Sequence, residues 1–227
     1  MSGNRYIRTI GVIGGTGKEG KGLAYRWAKA GYRVLIGSRE TEKARQTVKE
    51  LSSRLGDNSL IEGTDNINAV TNADVVVLAV PYSAHRATLE ILKAHLQGKI
   101  LIDVTVPLVP PHITKVQMPP AGSAALEACQ ILGKEVSVAS AFQNISFEHF
   151  LQDGPIESDV LVTGTNDEAR FVTLELVKAV GIIGWDAGPI ENSIVVEGLT
   201  SILIGINKHY RSKSAGIRII GVEAPSK

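Results

Sequence analysis

A run of glycines between residues 14 and 22 carries the clearest chemical pattern in the chain. Gly15, Gly17 and Gly20 stand in the spacing G-x-G-x-x-G, directly after an apolar run over residues 7–13. In this spacing the first glycine permits a tight turn, the second lets a pyrophosphate approach the backbone, and the third lets a helix pack against the strand. The helix that follows adds free amides and the positive end of its dipole. The pattern therefore predicts a dinucleotide site, with a purely structural glycine turn as the alternative.

The end of the second apolar run indicates which dinucleotide binds. NAD-selective sites place an acidic residue there, about 20 positions after the glycines. Here Ser38 and Arg39 stand at that place, and Lys43 follows one helical turn later. We expect NADP(H), because arginine offers a planar fork of donors to the oxygens of a 2′-phosphate; the alternative is that Arg39 is a solvated surface charge. The residues expected to hold the nucleotide are Gly15, Thr16, Gly17, Lys18, Glu19, Gly20, Ser38, Arg39 and Lys43.

Three further strand ends fall at the same edge of the predicted sheet, around residues 79–82, 105–108 and 141–145. Ligands of a doubly wound sheet collect outside the carboxyl ends of its strands. Polar groups there could orient a nicotinamide amide and a second ring, although a role in loop structure fits each of them equally well. The candidates are Val80, Pro81, Ser83, His85, Thr105, Gln143, Asn144 and Ile145.

No catalytic acid, base, nucleophile or metal site is predicted. The histidines, at positions 85, 95, 112, 149 and 209, form no cluster with metal-ligand spacing, and Cys129 has no partner motif. His85 and His149 lie close enough to strand ends to face a substrate, but we favour a surface or helix-capping role for both, and a core position for Cys129. Hydride transfer between two bound rings needs proximity and orientation more than it needs a protein acid.

The segments around these residues alternate between two periodicities. Strands are expected at residues 7–13, 32–37, 74–80, 99–106 and 136–142, and helices between them at 21–30, 41–55, 84–96 and 121–132. Such alternation predicts an α/β fold with a doubly wound parallel sheet of the Rossmann type. The pattern weakens beyond residue 150, so we expect a nucleotide-binding domain over residues 1–148 and a smaller C-terminal domain over 149–227.

The C-terminal part is expected to hold strands at 160–163 and 181–185, a helix at 167–180 capped by Asn166, and a helix at 192–210. The last helix has too broad an apolar stripe to rest on water, and a homodimer partner is its expected neighbour. The stripe consists of Ile194, Val195, Leu199, Ile202, Leu203 and Ile206.

Composition excludes several classes of protein. The 227 residues are 44% hydrophobic and 21% charged, with a formal net charge of +1, so no overall field attracts nucleic acid or an anionic membrane. No apolar run approaches the roughly 18 residues of a membrane span. One cysteine excludes an internal disulfide, and residues 1–6 lack an apolar leader, so a cytoplasmic location is expected.

Over nearly its whole length the chain resembles the NADPH:coenzyme F420 oxidoreductases. The N-terminal likeness lies in residues 14–17 and 21–23 and in Gly37-Ser38-Arg39 with Lys43. The C-terminal likeness is more specific: it comprises Asp186-Ala187-Gly188-Pro189, Asn192-Ser193, Val196-Glu197, Leu199-Thr200 and Gly216-Ile217. The resemblance implies hydride transfer between NADP(H) and an 8-hydroxy-5-deazaflavin, coenzyme F420, in a homodimer with a Rossmann domain and a small C-terminal domain.

The resemblance also implies roles for residues. Thr16, Ser38, Arg39 and Lys43 would contact NADP, and residues 140–145 would line the deazaflavin cleft. Some archaeal members have a histidine where this chain has Gln143, whose amide can still donate a hydrogen bond to a ring carbonyl. The basic residues Arg211, Lys213 and Arg218 could meet the polar tail of the acceptor or form a solvated face.

Two other functions fit the same residues. One keeps NADPH and changes the acceptor to a flavin, a ferric chelate or an imine. The other is a module that senses NADP without turnover.

Overall fold

The computed structural model describes residues 7–56 and 60–223 and contains one eight-stranded sheet. The strands are β1 (Thr9–Ile13), β2 (Arg33–Ser38), β3 (Ile61–Asp65), β4 (Val75–Leu78), β5 (Ile100–Asp103), β6 (Ser137–Ser140), β7 (Asp159–Gly164) and β8 (Ile183–Pro189). They lie in the order β3-β2-β1-β4-β5-β6-β7-β8, and the first six are parallel. This order confirms the predicted Rossmann-type α/β sheet.

Helices cover both faces of the sheet. They are α1 (Lys18–Lys29), α2 (Thr41–Leu55), α3 (Asn66–Thr71), α4 (Tyr82–Leu96), α5 (Ala124–Leu132), α6 (Asp167–Ala179) and α7 (Ser193–Tyr210). One core lies between the sheet and α1, α2 and α6, and a second lies between the sheet and α3, α4 and α5. Short 3-10 turns occur at Phe147–His149 and Ile190–Asn192.

An aromatic group at the centre of the first core fixes the chain after β6. The rings of Trp27 and Phe150 each meet Phe142 edge to face, with centroids 5.9 and 6.0 Å away, and the Trp27 indole donates to the Leu176 carbonyl. Phe142 has φ +74°, a left-handed conformation that is costly for a side chain of this size. The packed rings hold this turn, which directs the following residues toward the carboxyl edge of the sheet.

The sheet continues across the predicted boundary at residue 149. β7 pairs antiparallel with β6, Ser140 standing opposite Thr163, and β8 pairs parallel with β7. Among the described residues, therefore, the C-terminal segment extends the Rossmann sheet and forms no distinct second domain, which corrects that part of the predicted fold.

Two elements lie where none was expected. Residues 61–71 form edge strand β3 and the short helix α3, whose N-cap Asp65 accepts a hydrogen bond from the Asn68 amide. Helix α1 begins at Lys18, three residues before its predicted start, so Lys18 and Glu19 belong to its first turn. Elsewhere the predicted cap holds: Asn166 Oδ1 accepts from the Ala169 amide at 2.8 Å.

Residues 186–189 form the end of β8 and lead through a 3-10 turn into α7. Asp186 accepts from the Gly188 amide and from Arg170, and the Asn192 amide donates to the Ala187 carbonyl. Helix α7 then meets the start of α5, where Glu197 accepts from two backbone amides at 2.7 and 3.1 Å. The most family-specific segment thus positions a helix through its own hydrogen bonds.

No helix within residues 7–56 and 60–223 has the length and apolar character that crossing a bilayer demands.

Candidate nucleotide and acceptor site

The glycine loop lies tightly against the end of β4. A side chain at Gly14, which has φ +80°, would bring Cβ within 2.4 Å of the Ala79 carbonyl oxygen, and a Cβ at Gly20 would lie 2.7 Å from the Gly14 oxygen. Exposed Gly17 is the N-cap of α1, and no side chain caps that helix. The backbone amides of the first turn are therefore left for a ligand, which is the arrangement that a pyrophosphate requires.

The corner expected to take the 2′-phosphate lies at the end of β2. The Ser38 hydroxyl accepts from the Glu40 amide at 3.2 Å, and Lys43 forms an ion pair with Glu40 at 2.7 Å. Arg39 is exposed and makes no hydrogen bond or ion pair with any other residue in the described part of the chain. Its guanidinium is thus free for an anionic ligand, whereas Lys43 is shared with a carboxylate.

A cavity of about 870 Å³ opens outside the carboxyl ends of β1, β4, β5 and β6. This volume lies near the upper end of the range for small-molecule sites, about 300 to 1,000 Å³. Its walls come from the glycine loop, the segments after β4, β5 and β6, and one face of α7. They include Gly17, Lys18, Glu19, Val80, Pro81, Tyr82, Thr105, Gln143, Ile145, Phe147, Thr200, Leu203 and Lys213.

The structure divides the predicted site residues into groups. Gly17, Lys18, Glu19, Val80, Pro81, Gln143, Asn144 and Ile145 line the cavity. Gly15 and Gly20 are buried and shape the loop, and Thr16 is half-buried beside them. Ser38, Arg39 and Lys43 lie outside the cavity lining, at the β2 corner.

His85 is fully buried beneath the cavity and does not line it. Its Nε2 lies 2.7 Å from Asp103 Oδ2, and its Nδ1 lies 3.4 Å from Glu127 Oε2 without a hydrogen bond. Burial opposes protonation, but Asp103 and Glu127 outweigh it and raise the pKa of the imidazole. Both earlier interpretations of His85, as a cofactor contact and as a surface or capping residue, are therefore wrong: it anchors the end of β5.

The side chain of Gln143 has an unpaired acceptor, not the expected free donor. Its Nε2 donates to the Asp103 carbonyl at 2.7 Å and to the Ser140 hydroxyl at 2.9 Å, which uses both amide hydrogens. Its Oε1 is buried and has no hydrogen-bond partner among the described residues. Turning the amide over would set that oxygen against the Asp103 carbonyl, so the orientation is fixed by its neighbours.

Both polar atoms of the Asn144 side chain have backbone partners. Its amide nitrogen donates to the Asp159 carbonyl at 2.6 Å, and its oxygen accepts from the Leu161 amide at 3.2 Å. The side chain holds β7 to the end of β6 and contributes only its surface to the cavity. These bonds favour a structural role, and a hydrogen bond from Asn144 to a bound ring stays a prediction.

Several lining residues escaped the sequence reasoning. The apolar stripe of α7 predicts only a dimer contact, yet Thr200 and Leu203 line the cavity. The Thr200 hydroxyl donates to the Gln143 carbonyl at 2.6 Å. The Leu199-Thr200 pair in the family likeness was the available signal. Phe147 was also missed; the Lys18 ammonium lies 5.0 Å from its ring centroid, which connects the glycine loop to the turn after β6.

Two side chains that line the cavity have raised pKa values. Burial, with repulsion from Asp103, raises the pKa of Glu19 to about 8. Burial, with the nearby Glu127, raises the pKa of Tyr82 to about 12. Glu19 is therefore mainly protonated at neutral pH and Tyr82 is neutral as well, so Glu19 adds little negative charge to this part of the cavity wall.

The known proteins that this chain resembles over nearly its full length are NADP reductases, which agrees with a nucleotide site at the glycine loop. The profile of the family described as "NADP oxidoreductase coenzyme F420-dependent" matches residues 9–107. The F420-dependent NADP reductase of Methanocaldococcus jannaschii is 39% identical over 94% of this chain and 99% of its own. That of Methanothermobacter marburgensis is 40% identical over 92% and 97%.

A solved structure shares the fold. A candidate F420-dependent NADP reductase from Arthrobacter sp. FB24 superposes with a TM-score of 0.74 at 23% identity, covering 92% of this chain and 96% of that one. The full-length relatives at close to 40% identity carry the family assignment. This chain belongs to the family of F420-dependent NADP reductases.

Proposed function

We propose that this protein transfers a hydride between NADP(H) and coenzyme F420. The observation that carries the proposal is one continuous cavity that begins at a dinucleotide-type glycine loop and extends past Gln143 to α7. Its volume has room for a second ring beside a nicotinamide. The near full-length relatives bear the name of this reaction. NADP(H) supplies or receives the hydride, and the chain supplies the binding and the orientation.

The described residues divide this work by position. The amides at the start of α1 hold the pyrophosphate, and Ser38, Arg39 and Lys43 hold the 2′-phosphate. Gln143 Oε1 is placed to accept a hydrogen bond from an N–H group, such as a carboxamide or a ring imide. The apolar lining keeps water away from the reacting carbons, which must approach to about 3 to 3.5 Å.

The division at residue 149 is proposed as a functional one. Residues 1–148 carry the nucleotide loop and the strand ends, whereas residues 149–227 supply the α7 wall and Lys213, which lines the cavity. The ammonium of Lys213 suits a negatively charged tail on the acceptor. The other two basic candidates, Arg211 and Arg218, are exposed and do not line the cavity.

A homodimer is proposed as the working assembly. Helix α7 buries Val196 and Leu203 but exposes Ile194, Val195, Ile202 and Ile206 on its other side. An apolar face of this kind on a structured helix is typical of an interface between subunits.

Stopped-flow mixing of the protein and NADPH with oxidised coenzyme F420 tests the reaction, by following loss of the visible absorbance of the deazaflavin. We expect rapid bleaching that NADH does not support. Absence of bleaching, with NADPH binding shown by fluorescence, would contradict F420 as the acceptor. Flavin, ferric chelate and imine acceptors would be assayed next, and failure of all of them would leave a module that senses NADP.

A further inference from the structure

Glu19 is a carboxyl group in the cavity with no partner of its own. It lies in the first turn of α1 and lines the cavity, yet it makes no hydrogen bond or ion pair with any residue in the described part of the chain. A half-buried carboxylate without a counter-charge is unfavourable, so such a group either holds a proton or awaits a cation.

The strand order shows on which side of the glycine loop this carboxyl lies. β1 has β2 on one side and β4 on the other, and β5 lies beyond β4. Glu19 experiences the charge of Asp103, the last residue of β5, and lines the cavity over the ends of β4 and β5. It therefore points away from the β2 corner that holds Arg39.

A bound nucleotide has a direction on this edge of the sheet. With its 2′-phosphate at Arg39 and its pyrophosphate at the glycine loop, its nicotinamide half must extend to the β4 side, into the cavity. Glu19 then shares the cavity with the one part of the nucleotide whose charge changes in the reaction: the ring is neutral in NADPH and carries one positive charge in NADP⁺.

We propose that Glu19 is a proton-holding residue of the nicotinamide site, protonated when NADPH is bound and ionised when NADP⁺ is bound. The proposal rests on the NADP(H) part of the proposed function and does not depend on the acceptor. When the reduced ring gives up a hydride, two electrons and one hydrogen nucleus leave and the ring becomes a cation. Release of the Glu19 proton to solvent at that stage keeps the summed charge of ring and carboxyl at zero.

The shifted titration of Glu19 is consistent with this role. Burial, followed by Asp103, raises its pKa to about 8, so the free protein is poised to gain or lose this proton near neutral pH. Asp103 acts on Glu19 from its buried position at the end of β5. The charged or titratable groups that share the cavity with Glu19 are Lys18 on α1, Tyr82 on α4, Glu148 after β6 and Lys213 near the C-terminus. Lys18 lies over the Phe147 ring, and none of these groups is bonded to Glu19.

Calorimetric titration of the wild-type protein with NADPH and with NADP⁺ at pH 8 tests the proposal. Buffers of different ionisation enthalpy give the number of protons exchanged on binding. At a pH equal to the pKa about half the protein is protonated, so NADPH should take up as much as about half a proton and NADP⁺ should release a similar amount. The 2′-phosphate, with a second pKa near 6, adds little at this pH. Equal proton counts for the two nucleotides would overturn the proposal.

The dissociation constants give a second readout. From pH 6 to pH 9.5 the ratio Kd(NADPH)/Kd(NADP⁺) should rise in the wild type, by about tenfold for each unit by which the pKa of the carboxyl differs between the two complexes. In Glu19→Gln the ratio should stay constant over this range. A ratio that still rises in the variant, or that is constant in the wild type, would refute the role of Glu19.

Glu168→Gln is the matched control, since Glu168 also lies in the first turn of a helix, α6, but is exposed and away from the cavity. It should retain the wild-type proton counts and the wild-type ratio; loss of either would contradict the assignment to Glu19. All of these measurements use the nucleotide alone. Failure of F420 turnover would therefore refute the proposed acceptor and leave the Glu19 proposal standing.

Discussion

The choice between NADP and NAD depends on very few side chains. Arg39 has no partner within residues 7–56 and 60–223, and replacing it with alanine removes the guanidinium fork from the expected 2′-phosphate position. We expect Arg39→Ala to weaken NADPH binding by about 10- to 100-fold, because a charge-assisted hydrogen bond contributes about 1.5 to 3 kcal/mol. NADH, which lacks that phosphate, should bind nearly as before. Fluorescence titration with both nucleotides measures the two constants.

Arg45→Ala provides the comparison for Arg39. Arg45 is exposed on the same helix, α2, and pairs at 3.6 Å with Glu42. This variant should leave the ratio of NADPH to NADH affinity unchanged. Equal losses for both nucleotides in Arg39→Ala would show that the arginine does not read the 2′-phosphate.

The titration of Glu19 also affects stability without any ligand. Because its folded pKa of about 8 lies above the ordinary value of 4.5, the folded state binds the proton more tightly than the unfolded state. Its contribution to stability is therefore lost as the pH rises from about 4.5 to 8. Glu19→Gln removes this dependence, so its melting temperature relative to the wild type should rise between pH 5 and pH 8.5. A thermal-unfolding series without nucleotide measures the difference, and a constant difference would contradict it.

The wild-type series alone would not isolate Glu19. Burial, with repulsion from Asp103, also raises the pKa of Glu197 to about 8, even though two amides at the start of α5 oppose the shift. Glu197 therefore contributes a pH dependence of the same sign, and only the difference between wild type and Glu19→Gln is diagnostic.

For individual residues, the sequence predicts where the site lies but not which hydrogen bonds its side chains make. The glycine spacing predicts the phosphate loop because its turn and helix start are local. The partners of Gln143 and Asn144 are not local: the carbonyls that they bind belong to Asp103 and Asp159, 40 residues before and 15 after. No pattern within one segment shows which half of an amide remains free, so the donor expected of Gln143 became an acceptor.

At the scale of elements, the sequence predicts the buried strands and the amphipathic helices, but not the half-exposed edge strand β3 or the short helix α3. β4 reads Val-Val-Val-Leu and is buried throughout, whereas edge strand β3 reads Ile-Glu-Gly-Thr-Asp and buries only Ile61. An edge strand with one apolar contact carries no period-2 signal. The expected second domain was wrong for a related reason: the pairing of β7 with β6 joins segments separated by an irregular stretch.

Asn144 is the residue that secures this join, and its replacement tests whether its role is structural. Asn144→Ala removes two hydrogen bonds and leaves the Asp159 carbonyl and the Leu161 amide unpaired. We expect a loss of about 2 to 4 kcal/mol in the free energy of unfolding, since a buried unsatisfied group costs about 1 to 3 kcal/mol. The affinity for NADPH should change by less than about threefold. Denaturant unfolding and nucleotide titration together measure both quantities.

Asn166→Ala is the comparison, because it removes the cap of α6 and one exposed hydrogen bond to Ser137, and it should cost about 1 kcal/mol. If Asn144→Ala cost no more than Asn166→Ala but abolished NADPH binding, Asn144 would be a ligand contact and not a structural one.

At the scale of the whole molecule, α7 faces two ways. Its inner side lines the cavity with Thr200 and Leu203 and meets α5 through Glu197. Its outer side exposes Val195 and Ile202, whose exposed fractions are 68% and 50%. A partner that covers the outer side would stiffen the helix that forms one wall of the cavity, so assembly and binding are expected to be coupled.

Charge on the outer side of α7 should therefore separate the subunits and weaken the site together. The double variant Val195→Glu/Ile202→Glu places two carboxylates in the proposed interface, and burying them there costs their hydration. We therefore expect a shift from dimer to monomer at micromolar concentration, measured by size exclusion with light scattering. The affinity for NADPH should fall several-fold in the same variant. Ile91→Glu, at an equally exposed isoleucine on α4, should change neither property. A wild-type protein that is monomeric at micromolar concentration would refute the dimer, because no interface would then exist for the two glutamates to disrupt.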